Sequence, residues 1–201
     1  KQQAQPLMQH MVSKGWIAVD INYRLGPNNR FDVLYSDVLR AMAWVKTHIA
    51  EYGGDPDFVV ATGGSAGGHL TALLALRPND PDFKSGFEDV DLSVQAAVPV
   101  YGVYDFTDRT GALSILGQAG MEKFLTEKTM PGPRETHEAF WNTVSPMGQI
   151  HADAPPFLVL HGRQDALAAF QGAEIFVEAL SEVSNQEVVF AALPGGQHAY
   201  D

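Results

Sequence analysis

Residues 58–70 read FVVATGGSAGGHL, and this stretch decides the fold. The run at 58–62 is short and almost wholly apolar, which predicts a strand buried on both faces. The pentapeptide GGSAG at 63–67 follows it directly, and residues 65–76 then have the composition of a helix. A strand that turns at once into a helix is typical of an α/β fold.

Further apolar runs and helical patterns alternate along the rest of the chain. Strands are predicted at 16–22, 94–101, 157–161 and 188–193, and helices at 32–52 and 170–183. No two-residue hairpin turn joins one strand to the next, so parallel strands connected through helices are expected. The predicted fold class is α/β, with a mostly parallel open sheet and helices on both faces.

The 201 residues are expected to form one α/β domain with an excursion at about 104–153. The excursion is rich in Gly and Pro, and we expect short helices and loops that cross the sheet edge and roof the site. A surface insertion without a role is the alternative. Four aromatic side chains are candidates either for an acyl pocket or for a small core of the excursion itself: Phe106, Phe124, Phe140 and Trp141.

The composition argues against several classes of function. With 13 Lys and Arg against 24 Asp and Glu, the formal net charge is −11, which disfavours a nucleic-acid partner because phosphate binding needs a basic face. The absence of cysteine excludes disulfides, thiolate catalysis and cysteine-ligated zinc. No apolar run approaches the roughly 20 residues that span a bilayer. A cytoplasmic location is the default expectation.

Ser65 has the sequence context of a nucleophile. In the G-x-S-x-G pattern, a tight strand-to-helix turn strains the serine backbone and lifts the hydroxyl above the sheet. Gly63, Gly64 and Gly67 form this elbow, and side chains at 63 and 67 are expected to collide. The N–H of Ala66, at the start of the helix, is expected to stabilise an oxyanion. The alternative is a glycine-rich turn in which Ser65 only caps the helix.

A serine hydroxyl needs a base, and His198 is the favoured candidate. It follows the last predicted strand on the flexible loop LPGGQ, which can carry an imidazole over the sheet edge. His161, at a strand end, is expected to be a packed structural histidine, and His69 is expected to pack beneath the nucleophile helix. The remaining histidines lack a strand-end context and are expected at the surface: His10, His48, His137 and His151.

Asp165 is the favoured acid, because it lies on the loop after the preceding strand. A carboxylate there can accept the Nδ1–H of His198 and hold the productive tautomer. Asp165 could instead cap the following helix. Asp105 and Asp108 are rival acids that come one strand early, and Asp153 precedes its strand at the wrong end of the sheet.

Several segments together resemble the hormone-sensitive-lipase-like branch of the α/β-hydrolases. They are GWIAVDINYRL at 15–25, YGGDP at 52–56, GGSAGGHL at 63–70, ADAPPFLVLHGRQD at 152–165 and LPGGQHA at 193–199. The resemblance implies a triad of Ser65, Asp165 and His198. It also implies hydrolysis of carboxylic esters with short or medium acyl chains, without a cofactor or metal.

The chain departs from this family in ways that affect activity. The sequence lacks the His-Gly-Gly-Gly stretch that supplies most of the family's oxyanion hole. It also lacks the family's N-terminal cap, its first strands and the helix expected after His198. We therefore expect these residues to be part of a longer esterase, and the polypeptide alone to be weakly active or inactive, because one lost oxyanion donor costs about 10²–10³ in rate.

Other functions stay open at this point. An arylformamidase or a prolyl-oligopeptidase-type peptidase would use the same machinery. A catalytically dead ligand-binding module is a different class, although such proteins usually lose a triad member. A homodimer formed at an unpaired sheet edge is a further option.

Overall fold

A computed structural model describes residues 5–109, 111–112 and 117–200. Four parallel strands form one sheet in the order β1-β2-β3-β4. The strands are β1 (Val60–Gly64), β2 (Ala96–Val100), β3 (Phe157–Gly162) and β4 (Val188–Leu193). The helices of the described ranges are α1 (Gln5–Ser13), α2 (Phe31–His48), α3 (Ala66–Leu76), α4 (Gly117–Lys128), α5 (Arg134–Thr143) and α6 (Phe170–Val183), with 3₁₀ turns at Ile49–Tyr52 and Pro146–Gln149. The predicted α/β class with a parallel sheet is confirmed.

One face of the sheet carries the main core. Phe157 of β3 is buried there and packs edge-on against Phe176 of α6. Helix α3 packs across β1 and β2, and all its residues from Gly68 to Leu76 are buried. The opposite face carries Leu158 and its neighbour Val189, which are 38% and 41% exposed. Among the described residues, the helices therefore cover one face of the sheet more fully than the other.

The prediction of a strand at 16–22 is wrong. This segment has no regular secondary structure, and within the described residues it pairs with no strand of the sheet. Its apolar side chains Trp16, Ile17, Val19 and Ile21 are each more than a third exposed. A strand is stabilised by the ladder hydrogen bonds of a neighbour, and the segment has no such neighbour here. The other four strands lie where they were predicted, with ends that differ by no more than two residues.

The predicted helices are confirmed with small changes at their ends. The helix predicted at 32–52 is α2 followed by a 3₁₀ turn, and Gly53 ends it with a φ of 82°, which glycine adopts without strain. The helix predicted at 65–76 begins at Ala66. Helix α6 has the predicted bounds. Across the ranges that the structure describes, no helix combines the length and apolar character needed to cross a membrane.

The excursion at 104–153 packs into the main core. Tyr104, Phe106, Trp141 and Val144 are buried in the same apolar cluster as Phe157. Part of the predicted excursion, residue 110 and residues 113–116, lies outside the described residues. The largest side chains of the described remainder help to form the core beneath the sheet.

Candidate active site

Ser65 lies at the bend between β1 and α3 and has an unusual backbone conformation. Its φ is 56° and its ψ is −118°, so a residue with a side chain is held in a region that favours glycine. The Ser65 N–H donates to the Val100 carbonyl oxygen (3.0 Å), and the Ser65 carbonyl oxygen accepts from the His69 N–H (3.1 Å). These bonds hold the bend, which carries the hydroxyl at the carboxyl end of the sheet.

The glycines of the bend differ in the space around them. A methyl group on Gly63 would lie 2.7 Å from the Gly67 carbonyl oxygen, and one on Gly64 would lie 2.5 Å from the Tyr101 hydroxyl oxygen. On Gly67 it would meet no described atom within 4 Å. The expected collision is therefore present at Gly63. The same expectation is wrong at Gly67, because the start of α3 faces open space there.

His198 lies on the loop after β4, and this loop is docked on the loop after β3. The Gln164 N–H donates to the Gly196 carbonyl oxygen (3.0 Å). Gly162 lies so close to the Gly196 backbone that a side chain on Gly162 would overlap it. This close approach of two glycines brings the imidazole to the carboxyl ends of the strands, where Ser65 lies.

Ser65 at the bend and two side chains from these loops, Asp165 and His198, form one hydrogen-bonded row. The Oγ of Ser65 lies 2.8 Å from Nε2 of His198, and Nδ1 of His198 lies 2.8 Å from Oδ2 of Asp165. A carboxylate can only accept hydrogen bonds, so Nδ1 carries the proton and Nε2 accepts from the serine hydroxyl. The Asp165 side chain is fully buried, whereas that of His198 is partly exposed. The geometry therefore places all three predicted residues together in the order that proton transfer requires.

Asp165 is also held by its own loop. Its Oδ1 accepts the backbone N–H groups of Leu167 (2.8 Å) and Ala168 (2.9 Å). These bonds close the turn that precedes α6. Asp165 therefore does not cap the first turn of the helix, but it does hold the loop that leads into it. One oxygen of Asp165 serves the loop while the other accepts from the imidazole.

The rival acids have other roles in the fold. Asp105 is buried, and its oxygens accept from the N–H and hydroxyl of Thr107 and from the N–H of Arg109. Its carboxylate therefore closes the turn after β2. Asp108 lies at a turn with a φ of 48°, and Asp153 is exposed before β3. The carboxylate in contact with His198 is that of Asp165.

Two buried histidines lie near the row. His69 in α3 is buried, as expected, with its Nδ1 2.6 Å from the Val103 carbonyl oxygen, and burial lowers its pKa to about 4. Burial also lowers the pKa of His161, although the Ala168 carbonyl and the Asp165 carboxylate oppose this effect. His161 is packed as expected, but its Nε2 also lies 3.2 Å from Oδ2 of Asp165.

Sequence reasoning missed this His161 contact and the packing of Tyr101. The Tyr101 ring centroid lies 5.0 Å from that of His198, and Tyr101 has a φ of 36° directly after β2. Only the positions of these two residues in the sequence pointed to the site. Tyr101 follows a strand at the functional edge of the sheet, and His161 precedes Asp165 by four residues across a tight turn.

Three of the four aromatic residues that were candidates for an acyl pocket pack in or against the main core. Trp141 is fully buried and its Nε1 donates to the Gly132 carbonyl oxygen (3.0 Å), while Phe106 stacks on the His69 ring. Phe140 packs against the same core, and Phe124 is half exposed. The acyl-pocket expectation is therefore wrong for the two buried residues, and their packing belongs to the main core rather than to a separate small one.

A protein-family model described as BD-FAE matches residues 1–180. The chain belongs to the BD-FAE family. Its fold is the α/β-hydrolase fold, as the resemblance implied. The chain is 53% identical over 199 residues to a Mycobacterium tuberculosis protein named Probable carboxylic ester hydrolase LipM. It is 44% identical over 199 residues to Esterase LipQ of the same organism.

These alignments include 99% of the BD-FAE chain but only 45% of LipM and 46% of LipQ. A thermophilic esterase from Thermogutta terrifontis, in its native form, has a TM-score of 0.78 at 27% identity, over 98% of this chain and 66% of that one. A structure of Thermogutta terrifontis esterase 2 phosphonylated by sarin has a TM-score of 0.81, also at 27% identity, over 98% and 68% of the two chains. The chain thus spans about half the length of LipM and of LipQ.

Proposed function

We propose that this chain carries the catalytic machinery of a serine esterase that cleaves carboxylic esters through an acyl-enzyme on Ser65. The observation that carries the proposal is the row in which Ser65 Oγ, His198 and Asp165 are joined by two contacts of 2.8 Å. A row of this kind supports nucleophilic attack on an acyl carbon. The names of LipM and LipQ, a carboxylic ester hydrolase and an esterase, support an ester as the substrate.

In the first half-reaction, Ser65 Oγ forms a bond to the ester carbonyl carbon while Nε2 of His198 takes the hydroxyl proton. The carbonyl π electrons move to the oxygen and give a tetrahedral oxyanion. When the oxyanion collapses, the bond to the alkoxy oxygen breaks and His198 returns the proton to the leaving alcohol. Water then repeats the steps on the acyl-enzyme and releases the carboxylic acid. The Asp165 carboxylate accepts Nδ1–H throughout.

Ala66 is the proposed oxyanion donor of this chain. Its N–H lies in the first turn of α3, where backbone N–H groups have no acceptor within the helix. The positive end of the helix dipole favours a negative charge at the same point. The N–H is thus available for the oxyanion without any rearrangement of the bend at Ser65.

Ser65→Ala tests the proposal directly. With p-nitrophenyl butyrate as substrate, kcat should fall to the uncatalysed background, because the attacking atom is removed. A fluorophosphonate probe should label the wild-type protein at Ser65 and leave Ser65→Ala unlabelled. Ser13→Ala is the matched control, since Ser13 is an exposed serine at the end of α1. Equal turnover and labelling in Ser65→Ala and wild type would refute the role of Ser65.

A panel of acyl substrates distinguishes an esterase from an arylformamidase and from a peptidase. We expect short and medium p-nitrophenyl esters to be cleaved faster than N-formylkynurenine or peptide amides. The p-nitrophenoxide of these esters leaves a tetrahedral intermediate more readily than the amine nitrogen of an amide does. A preference for N-formylkynurenine would point to an arylformamidase, and a preference for peptides would point to a peptidase.

A further inference from the structure

A second imidazole lies against the carboxylate that contacts His198. The His161 side chain is fully buried near the end of β3, and its Nε2 lies 3.2 Å from Oδ2 of Asp165 and 3.1 Å from the Ala168 carbonyl oxygen. Both oxygens can only accept, so Nε2 carries the hydrogen. Among the described residues, the buried Nδ1 of His161 has no hydrogen-bond partner. A proton on Nδ1 would be an unpaired charged donor in the interior, so His161 is a neutral donor.

This donor links the Asp165 loop to the sheet. Ala168 takes part twice, because its N–H donates to Oδ1 of Asp165 and its carbonyl oxygen accepts from His161. The Asp165 carboxylate is therefore enclosed by backbone donors at Oδ1 and by two imidazoles at Oδ2. If the carboxylate rotated, it would break contacts on both oxygens at once, which restricts it to one orientation.

We propose that His161 is a positioning residue for Asp165, whose Nε2–H, placed between the Ala168 carbonyl oxygen and Oδ2, keeps the carboxylate aimed at Nδ1 of His198. The inference rests on the proposed serine esterase function, in which Asp165 orients the base. His161 has no contact with Ser65, so it acts through Asp165. Burial lowers the pKa of His161, and the neutral ring places no second positive charge beside the imidazolium that forms on His198.

The first test compares two substitutions of His161 with a control elsewhere. His161→Leu removes the donor and should lower kcat about tenfold or more, with KM within twofold of wild type. His161→Gln keeps an N–H donor and should restore most of the loss. His151→Leu is the control: Nε2 of His151 lies 3.1 Å from the Leu76 carbonyl oxygen, away from the row, and its removal should leave kcat unchanged. All kcat values are counted per Ser65 titrated with fluorophosphonate, so unfolded protein does not contribute.

A double-mutant cycle distinguishes positioning from simple packing. In an Asp165→Ala background no carboxylate remains to be held, so His161→Leu should lower kcat by less than twofold further. An equal loss in both backgrounds would overturn the inference, and so would an unchanged kcat for His161→Leu alone. If His161→Leu does not fold, His161→Asn replaces it, because the shorter amide does not reach Oδ2. Failure of the proposed function has a different signature, a wild-type protein whose Ser65 is not labelled by a fluorophosphonate.

Discussion

Replacing Gly63 by alanine tests whether the bend at Ser65 depends on the close backbone contact between β1 and α3. The added carbon would lie 2.7 Å from the Gly67 carbonyl oxygen and 2.8 Å from its carbonyl carbon, whereas ordinary contacts begin at 3.4 Å. The start of α3 would have to retreat by about 0.7 Å, because neither atom belongs to a side chain that can rotate away. Overpacking of this kind costs about 1–3 kcal/mol, and a displacement approaching 1 Å at the nucleophile costs about 100-fold in rate.

The assay measures the free energy of unfolding by urea titration and kcat on p-nitrophenyl butyrate. Gly63→Ala should lose about 1–3 kcal/mol of stability and about 100-fold in kcat. Gly67→Ala is the matched control for stability: its methyl group meets no described atom within 4 Å, and alanine favours the helix by about 0.5–1 kcal/mol over glycine. If both variants unfold at the urea concentration of wild type, the methyl group at position 63 is accommodated and the bend does not depend on this contact.

Three further predictions concern pH, loop docking and the core. The pKa of His69 is lowered to about 4 by burial, so between pH 6.5 and 4 the unfolded chain binds a proton that the folded chain does not, and stability falls with decreasing pH. Between pH 7 and pH 5, the free energy of unfolding measured by urea titration should fall about 2 kcal/mol further in wild type than in His69→Gln. Equal falls in the two proteins would contradict the lowered pKa of His69. Gly162→Ala should lower kcat and the rate of fluorophosphonate labelling about 100-fold, because the methyl group separates the two loops at Gly196, and an unchanged labelling rate would show that the loops tolerate it. Trp141→Ala should cost about 3–5 kcal/mol in urea unfolding, since this side chain is fully buried, and a cost below about 1 kcal/mol would place it outside the core.

Much of the candidate site could be predicted from local sequence, because the relevant physics is local. The turn at Ser65 has no room for side chains at Gly63 and Gly64, before the serine, and these glycines belong to a pattern that is visible in five consecutive letters. Asp165 and His198 follow predicted parallel strands, and parallel strands bring their carboxyl ends to one edge of the sheet. Chain order and topology alone therefore place the three residues near one another, although they do not establish a distance between any two side chains.

The sequence by itself determined four of the strands, the main helices and the residues of the row, because each depends on an apolar run or a turn that a few neighbouring residues specify. Only the tertiary structure decided that, among the described residues, 16–22 pairs with no strand and Gly67 has no neighbour for a side chain. It also decided that Trp141 belongs to the main core. It alone revealed His161 against Asp165. These features depend on which distant segment lies alongside, and packing between segments far apart in the chain leaves no periodic signal in either one.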